Sequence, residues 1–224
     1  MNDGKDWYAW HGPYAEDDSP LARRLRLVQQ HIAAWLDERP GKPVSVVSIC
    51  AGQGHDVLDV LASRPDATRA DVTLIESDPR NVAAARARAV TANLTTVTVM
   101  QADAGDLASY RRAVPADLVI MAGVLGNISD ADAHATINAL PQLCAADATV
   151  IWTRTRRAPD LTPTVRTWLA DAGFAERAFH APDGVLFSVG VHRFAGTPQP
   201  LASNGEIFTF IGDTGWTSTT GSSR

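Results

Sequence analysis

From residue 44 onward, short apolar runs alternate with stretches whose apolar positions recur at helical spacing, a pattern that predicts βαβ units building a parallel sheet. Strands are expected at 44–50, 72–76, 97–101, 118–122 and 149–153, with helices in the gaps. Upstream, Leu21, Leu25, Val28, Ile32 and Trp35 or Leu36 share one face of a helix that Asp18 or Ser19 caps and Pro20 starts; Pro40-Gly41-Lys42-Pro43 stops it. Val57, Leu58 and Leu61 mark a second helix. Asp78 followed by Pro79 opens a third, running to about Ala92. Ser129, with Asp132 three residues on, opens a helix that carries Ile137 and Leu140 inward, and a last helix spans 162–172 before Gly173.

Beyond Gly173 the pattern changes. Residues 174–180 and 185–194 are strand-like and joined by Pro182-Asp183-Gly184, too short for a crossover, so an antiparallel hairpin is expected. Residues 195–204 read as a linker and 206–211 as one more strand, while the Thr/Ser/Gly-rich 213–224 is expected to be mobile. At the other end, Trp7, Tyr8, Trp10, His11 and Tyr14 follow no helical or strand period and form an irregular aromatic arm. The expected organisation is an arm and helix over 1–40, the arm a candidate lid or else packed against the core, then a core over 41–194 and an extension over 195–224.

Composition narrows the function. With 224 residues, one substantial core is the expectation. A formal net charge of -5 disfavours nucleic acid and anionic membranes as partners and favours a small neutral or cationic molecule. Arg154, Arg156 and Arg157 form one basic run that departs from this average, a pattern that is usually a solvated face. Cys50 and Cys144 are too few for a disulfide framework and lack zinc-ligand spacing, which fits a reducing cytoplasm. No apolar stretch approaches the roughly 18 residues needed to cross a bilayer, and the acidic, aromatic first residues are not signal-like. The abundance of arginine and alanine suggests a GC-rich bacterial source. A homodimer is left open.

Three strand ends carry candidate chemistry. After the first comes Ala51-Gly52-Gln53-Gly54-His55-Asp56, where the glycines allow a tight turn and close approach of a ligand to the backbone. By itself this is equally the mark of a compact strand-to-helix turn. The second strand ends at Glu76, followed by Ser77, about where an acidic side chain meets a ribose diol. Asp78 has the humbler role of helix cap. The third strand runs into Asp103-Ala104, where a carboxylate can accept from an adenine amine and a backbone N–H can reach a ring nitrogen.

Together, these residues resemble the first three motifs of the class I S-adenosylmethionine-dependent methyltransferases, over about residues 44–194. The resemblance implies a doubly wound α/β fold: a mostly parallel seven-stranded sheet ending in an antiparallel hairpin, with helices on both faces. It implies that the chain is an enzyme using S-adenosyl-L-methionine and releasing S-adenosyl-L-homocysteine. Ala51, Gly52 and Gly54 would line the methionine and ribose portion, Glu76 and Ser77 the ribose, and Asp103 with Ala104 the adenine, with Gly123 completing the cofactor site. The sequence departs from the family where an acidic residue is usual, at Ser48, and where the first glycine is usual, at Cys50. Asp56 is the candidate replacement for the contact to the methionyl amine; capping its own helix is the equal alternative. A dinucleotide-dependent dehydrogenase competes less well, because Val57 stands at the third glycine position and no Tyr-x-x-x-Lys pair exists.

Acceptor-facing residues should follow the later strands. That gives Asn127 and, in the arm, His11 as candidate catalytic groups, with Tyr8, Trp10, Tyr14, Arg154 and His180 as candidate substrate contacts. The acceptor implied is an oxygen, nitrogen or carbon of a small molecule. A non-catalytic binding module and an RNA methyltransferase are the alternatives. Asp130 and Asp132 fit a helix start rather than a ligand set, so no metal is expected.

Overall fold

The computed structural model describes residues 6–8, 14 and 18–210. Trp10, His11, Ile211 and residues 213–224 lie outside them.

The alternation read from the sequence becomes α1 (Pro20–Asp37), β1 (Val44–Ile49), α2 (His55–Ala62), β2 (Ala70–Glu76), α3 (Pro79–Thr91), β3 (Val97–Gln101), β4 (Ala116–Met121), α4 (Asp130–Ala139), β5 (Cys144–Thr155), α5 (Thr162–Asp171), β6 (Phe174–His180) and β7 (Phe187–Phe194). The strands form one seven-stranded sheet in the order β3-β2-β1-β4-β5-β7-β6. All pairings are parallel except those of β7 with β5 and β6, the hairpin expected after Gly173. Caps stand where the sequence put them: Ser19 accepts from Ala22 N–H, Asp78 from Arg80 N–H and Ser129 from Asp132 N–H.

Strand alternation sorts the side chains onto two cores. Val46, Leu74, Leu118, Ile120 and Ile151 pack with Val28, Ile32, Val57, Leu58, Val82 and Ala85 of α1, α2 and α3. Val47, Ile49, Val119, Met121, Val150 and Trp152 face the other way, onto Ala133, Ile137, Val165 and Leu169 of α4 and α5. Both sheet faces are therefore covered, which explains strands that read as nearly continuous apolar runs.

Two expectations change. β5 begins at Cys144 rather than 149, because an irregularity between Ala116 and Leu118 of β4 lets Cys144 pair ahead of the regular ladder that resumes at Thr149. No strand runs through 206–210; Glu206 and Phe210 make isolated bridges to Asp106 and Ile128. Here the chain's amides serve loops instead of a neighbouring strand: Ile207 N–H donates to Gly105 O at 2.8 Å, and Gly205 O accepts from Leu107 N–H at 2.9 Å. The segment is nonetheless part of the fold, since Ile207 and Phe208 are buried in the α4/α5 core.

β7 carries a buried imidazole. His192 Nδ1 accepts from Trp152 Nε1 at 3.2 Å, and Nε2 lies 3.6 Å from Glu176 Oε2. Burial pushes its pKa down to about 4, with the Glu176 carboxylate opposing in part. A pKa depressed in the folded state means that the unfolded chain takes up the proton first. The neutral side chain's stabilisation is thus complete above pH 6.5 and is lost progressively as the pH falls toward 4, by up to about 3 kcal/mol. Denaturant melts from pH 7.5 to 4.5 should show this loss, and His192→Gln should flatten it; equal slopes in the two proteins would refute the assignment.

Candidate active site

Crossovers run one way from β1 to β2 and β3 and the other way from β4 to β5, so a crevice opens beyond the carboxyl ends of β1 and β4. The turn from β1 into α2 enters it in left-handed conformations at Cys50 (φ 51°), Gly52 (φ 55°) and Gly54 (φ 73°). A non-glycine residue pays for that conformation at Cys50. Gly54 has a further reason to be glycine: a Cβ there would lie 2.7 Å from the Leu58 side chain and 2.9 Å from that of Leu74. It serves the packing of α2 on the sheet.

Glu76 ties this turn to the neighbouring strand. Its Oε2 accepts from Gly52 N–H at 2.9 Å and its Oε1 from Asp78 N–H at 2.8 Å. Two backbone donors satisfy a carboxylate that is only 6% exposed, and each oxygen keeps accepting capacity for a further hydrogen. An adjacent pair of hydroxyl groups matches this end of the site.

The pocket around it encloses about 800 Å³, its open mouth included. Cys50, Ala51, Gly52, Glu76, Ser77, Asn81, Ala122 and Gly123 form the sheet side, while Trp7, Tyr14, Arg24, Leu25, Val28 and Phe210 form the opposite wall, with His55 and Asp56 between. Tyr14 accepts a hydrogen bond from Arg24 at 3.0 Å and its ring lies 5.3 Å from that of His55. Burial raises the Tyr14 phenol's pKa, with Arg24 opposing. The rings of Trp7 and Phe210 lie 5.3 Å apart. Phe210 gets there because the strap at 205–210 crosses Gly105, where a Cβ would stand 2.2 Å from Phe208 O. Burial, aided by the carboxylates of Glu76 and Asp103, holds the Cys50 thiol well above its usual pKa, so it stays protonated. Burial also raises the Asp56 pKa, although its Oδ1 accepts from Val57 N–H at 2.8 Å. Asp56 satisfies a first-turn N–H and also lines the pocket.

Of the residues picked from sequence, Ala51, Gly52, Asp56, Glu76, Ser77, Gly123 and Tyr14 line this pocket. Ser48 does not; it is 1% exposed, on the same sheet face as Val46. Asp103 is exposed and turned onto Gly105 N–H at 2.8 Å, and Ala104 is buried in the core. Three acceptor-side residues do structural work. Asn127 donates to Gly123 O at 2.6 Å. Arg154 holds the post-β4 loop through Leu125 O and reaches Asp130 at 3.1 Å. His180 Nε2 sits 2.9 Å from His31 Nε2 of α1. Arg156 likewise binds Pro182 O and Val185 O, so the basic run divides between loop anchors and the exposed Arg157. Tyr8 is 44% exposed, with the Arg80 guanidinium 5.3 Å from its ring centroid.

Sequence reasoning missed Arg24, His55, Asn81, Ala122 and Phe210 as site residues, read Leu25 and Val28 only as a core stripe, Trp7 only as part of the arm and Cys50 only as a departure at the first glycine position. Asn81 had a detectable signal, as an amide at a position where α3 turns inward.

The sequence from 46 to 147 matches a family of methyltransferase domains. No curated protein matches the chain. Among solved structures it is similar to the magnesium protoporphyrin IX methyltransferase of Synechocystis with bound S-adenosylmethionine (18% identity, TM-score 0.61, 86% of this chain and 99% of that one). It is also similar to a TehB-like S-adenosylmethionine-dependent methyltransferase of Corynebacterium glutamicum (14%, 0.57, 85% and 95%). A third is an O-methyltransferase family protein of Burkholderia thailandensis (16%, 0.59, 79% of this chain), of whose length the chain spans only 58%. At these identities the structures establish a shared fold.

The strap's dependence on Gly105 is testable. Gly105→Ala should cost about 1–3 kcal/mol of stability, because backbone must move to admit the methyl. An unchanged denaturation midpoint would show that the strap does not bear on Gly105.

Proposed function

We propose that this chain, which carries an S-adenosylmethionine-dependent methyltransferase domain of the class I fold, methylates an oxygen, nitrogen or carbon of a small molecule held under the wall of Trp7, Tyr14 and Phe210. The observation that carries the reading is the Glu76 carboxylate, oriented by Gly52 and Asp78 at the floor of a pocket on the sheet's switch point.

The residues present fit the cofactor. Glu76 is an acceptor-only group, as a ribose diol requires, and Asn81, in the same pocket, has a buried Nδ2 donor without a partner among the described residues. Asp56 supplies a second buried carboxylate for a cationic group. When bound, the cofactor supplies a methyl group made electrophilic by its sulfonium. The chain's own contribution is position and exclusion: displacement needs donor and acceptor in line, and an enclosed, aromatic-walled pocket restrains both and keeps water out. Because Cys50 is held as a thiol, it offers no thiolate to compete for the methyl group. The small-molecule acceptor is supported by a pocket walled by the aromatic side chains of Trp7, Tyr14 and Phe210, and by a neighbour of the same fold that is a magnesium protoporphyrin IX methyltransferase.

Titration calorimetry with S-adenosylmethionine and S-adenosylhomocysteine tests this directly. The parent protein should bind both. Glu76→Gln, which keeps one acceptor oxygen, should weaken binding about 10- to 100-fold, the worth of hydrogen bonds to a charged group. Absence of binding by the parent would overturn the proposal, and unchanged affinity in Glu76→Gln would remove Glu76 from the site.

A further inference from the structure

α3 starts three residues after the carboxylate that floors the pocket, and its first turn carries Asn81, the one polar group among the helix's buried residues. Asn81 is 1% exposed, in company with Val82, Ala85 and Ala89 as the buried residues of the helix. An amide in such a position costs stability unless both ends are paired. One end is. Asn81 Oδ1 accepts from Gln53 Nε2 at 3.4 Å, and Gln53 Oε1 in turn lies 3.3 Å from His55 Nε2. With the Gln53 carbonyl facing His55, its NH₂ faces Asn81, and the Asn81 oxygen is used. Nδ2 is left with no partner among the described residues, although the residue lines the pocket with Glu76.

The two groups are complementary. Glu76 can only accept, so it takes the hydrogen of a hydroxyl group; that hydroxyl's oxygen then seeks a donor. We infer that Asn81 is a cofactor-recognition residue, donating from Nδ2 to a hydroxyl oxygen of the ribose whose hydrogens Glu76 accepts, a contact that rests on the S-adenosylmethionine reading above. Gln53 is its positioning residue: through Oδ1 it turns the donor end of the amide toward the ligand, and so couples the glycine turn after β1 to α3. Without ligand the buried Nδ2 has no acceptor among the described residues, and binding supplies one.

The test compares Asn81→Leu, which matches the amide in size without polar atoms, with Asn81→Asp, which keeps the shape but only accepts. Titration calorimetry measures the affinity of each for S-adenosylhomocysteine and for its 2′,3′-dideoxyribose analogue, beside thermal melts without ligand. Asn81→Leu should melt no lower than the parent, because an unpaired group is removed, yet bind S-adenosylhomocysteine about tenfold more weakly. Asn81→Asp should lose at least as much, since it places a second acceptor beside Glu76, and it decides the matter if the leucine variant does not fold. Against the dideoxy analogue both variants should bind as the parent does. Affinities for S-adenosylhomocysteine within twofold of the parent in both variants would overturn the inference while leaving the cofactor reading intact. An equal loss for both ligands would overturn it too, by reducing Asn81 to packing. Failure of the parent to bind S-adenosylhomocysteine would remove both readings.

Discussion

The carboxylate of Glu76, held between the N–H groups of Gly52 and Asp78, is the interaction on which the rest of the site depends. A buried carboxylate is tolerable only when its oxygens are paired, and here the pairing spans two chain reversals. One bond holds the left-handed turn that ends β1 and begins α2; the other holds the short link from β2 to α3. The starts of two helices are thereby referred to the end of a single strand. Since α2 and α3 pack side by side on the same sheet face, the position of Asp56 on one and Asn81 on the other follows from that tie.

Enclosure of the pocket comes from segments far apart in the chain. Trp7 and Tyr14 reach it from the N-terminal side, α1 contributes Arg24, Leu25 and Val28, and Phe210 arrives along the strap that crosses Gly105. The strap is anchored by backbone bonds at Gly105 and Leu107, by the Thr136 hydroxyl on Ile207 O and by burial of Ile207 and Phe208. What reads as an extension in sequence is therefore, up to Phe210, a wall of the site and part of a core. The same economy governs the later loops, where Asn127 and Arg154 are spent on carbonyl groups that irregular backbone would otherwise leave unpaired.

Much of the fold was legible beforehand, because period, caps and turn length are local properties. Ser19, Asp78 and Ser129 cap helices as their neighbours indicate, and the six-residue link from β6 to β7, built on Pro-Asp-Gly, is too short to carry a crossover. The strap was read as a strand because its composition suits one; whether a partner strand lies beside it is not a local property. Strand ends also pointed to the glycine turn, Glu76 and Gly123, since a doubly wound sheet gathers its carboxyl ends at one crevice. They pointed equally to Asn127, Arg154 and His180, which share that edge but turn toward loops and α1.

By itself the sequence determined the alternation of strands and helices, the hairpin that closes the sheet, a likeness to methyltransferase domains over 46–147, and the acidic residue at the end of β2. These follow from periodicity and from chemistry confined to a few adjacent residues. Only the tertiary structure decided which polar groups meet: that Ser48 faces buried packing, that His180 meets His31 of α1, and that Asn81 brings an amide N–H without a partner among the described residues to the pocket beside Glu76. A hydrogen bond needs its partners within about 3 Å, and for residues dozens of positions apart that distance is set by how whole elements pack.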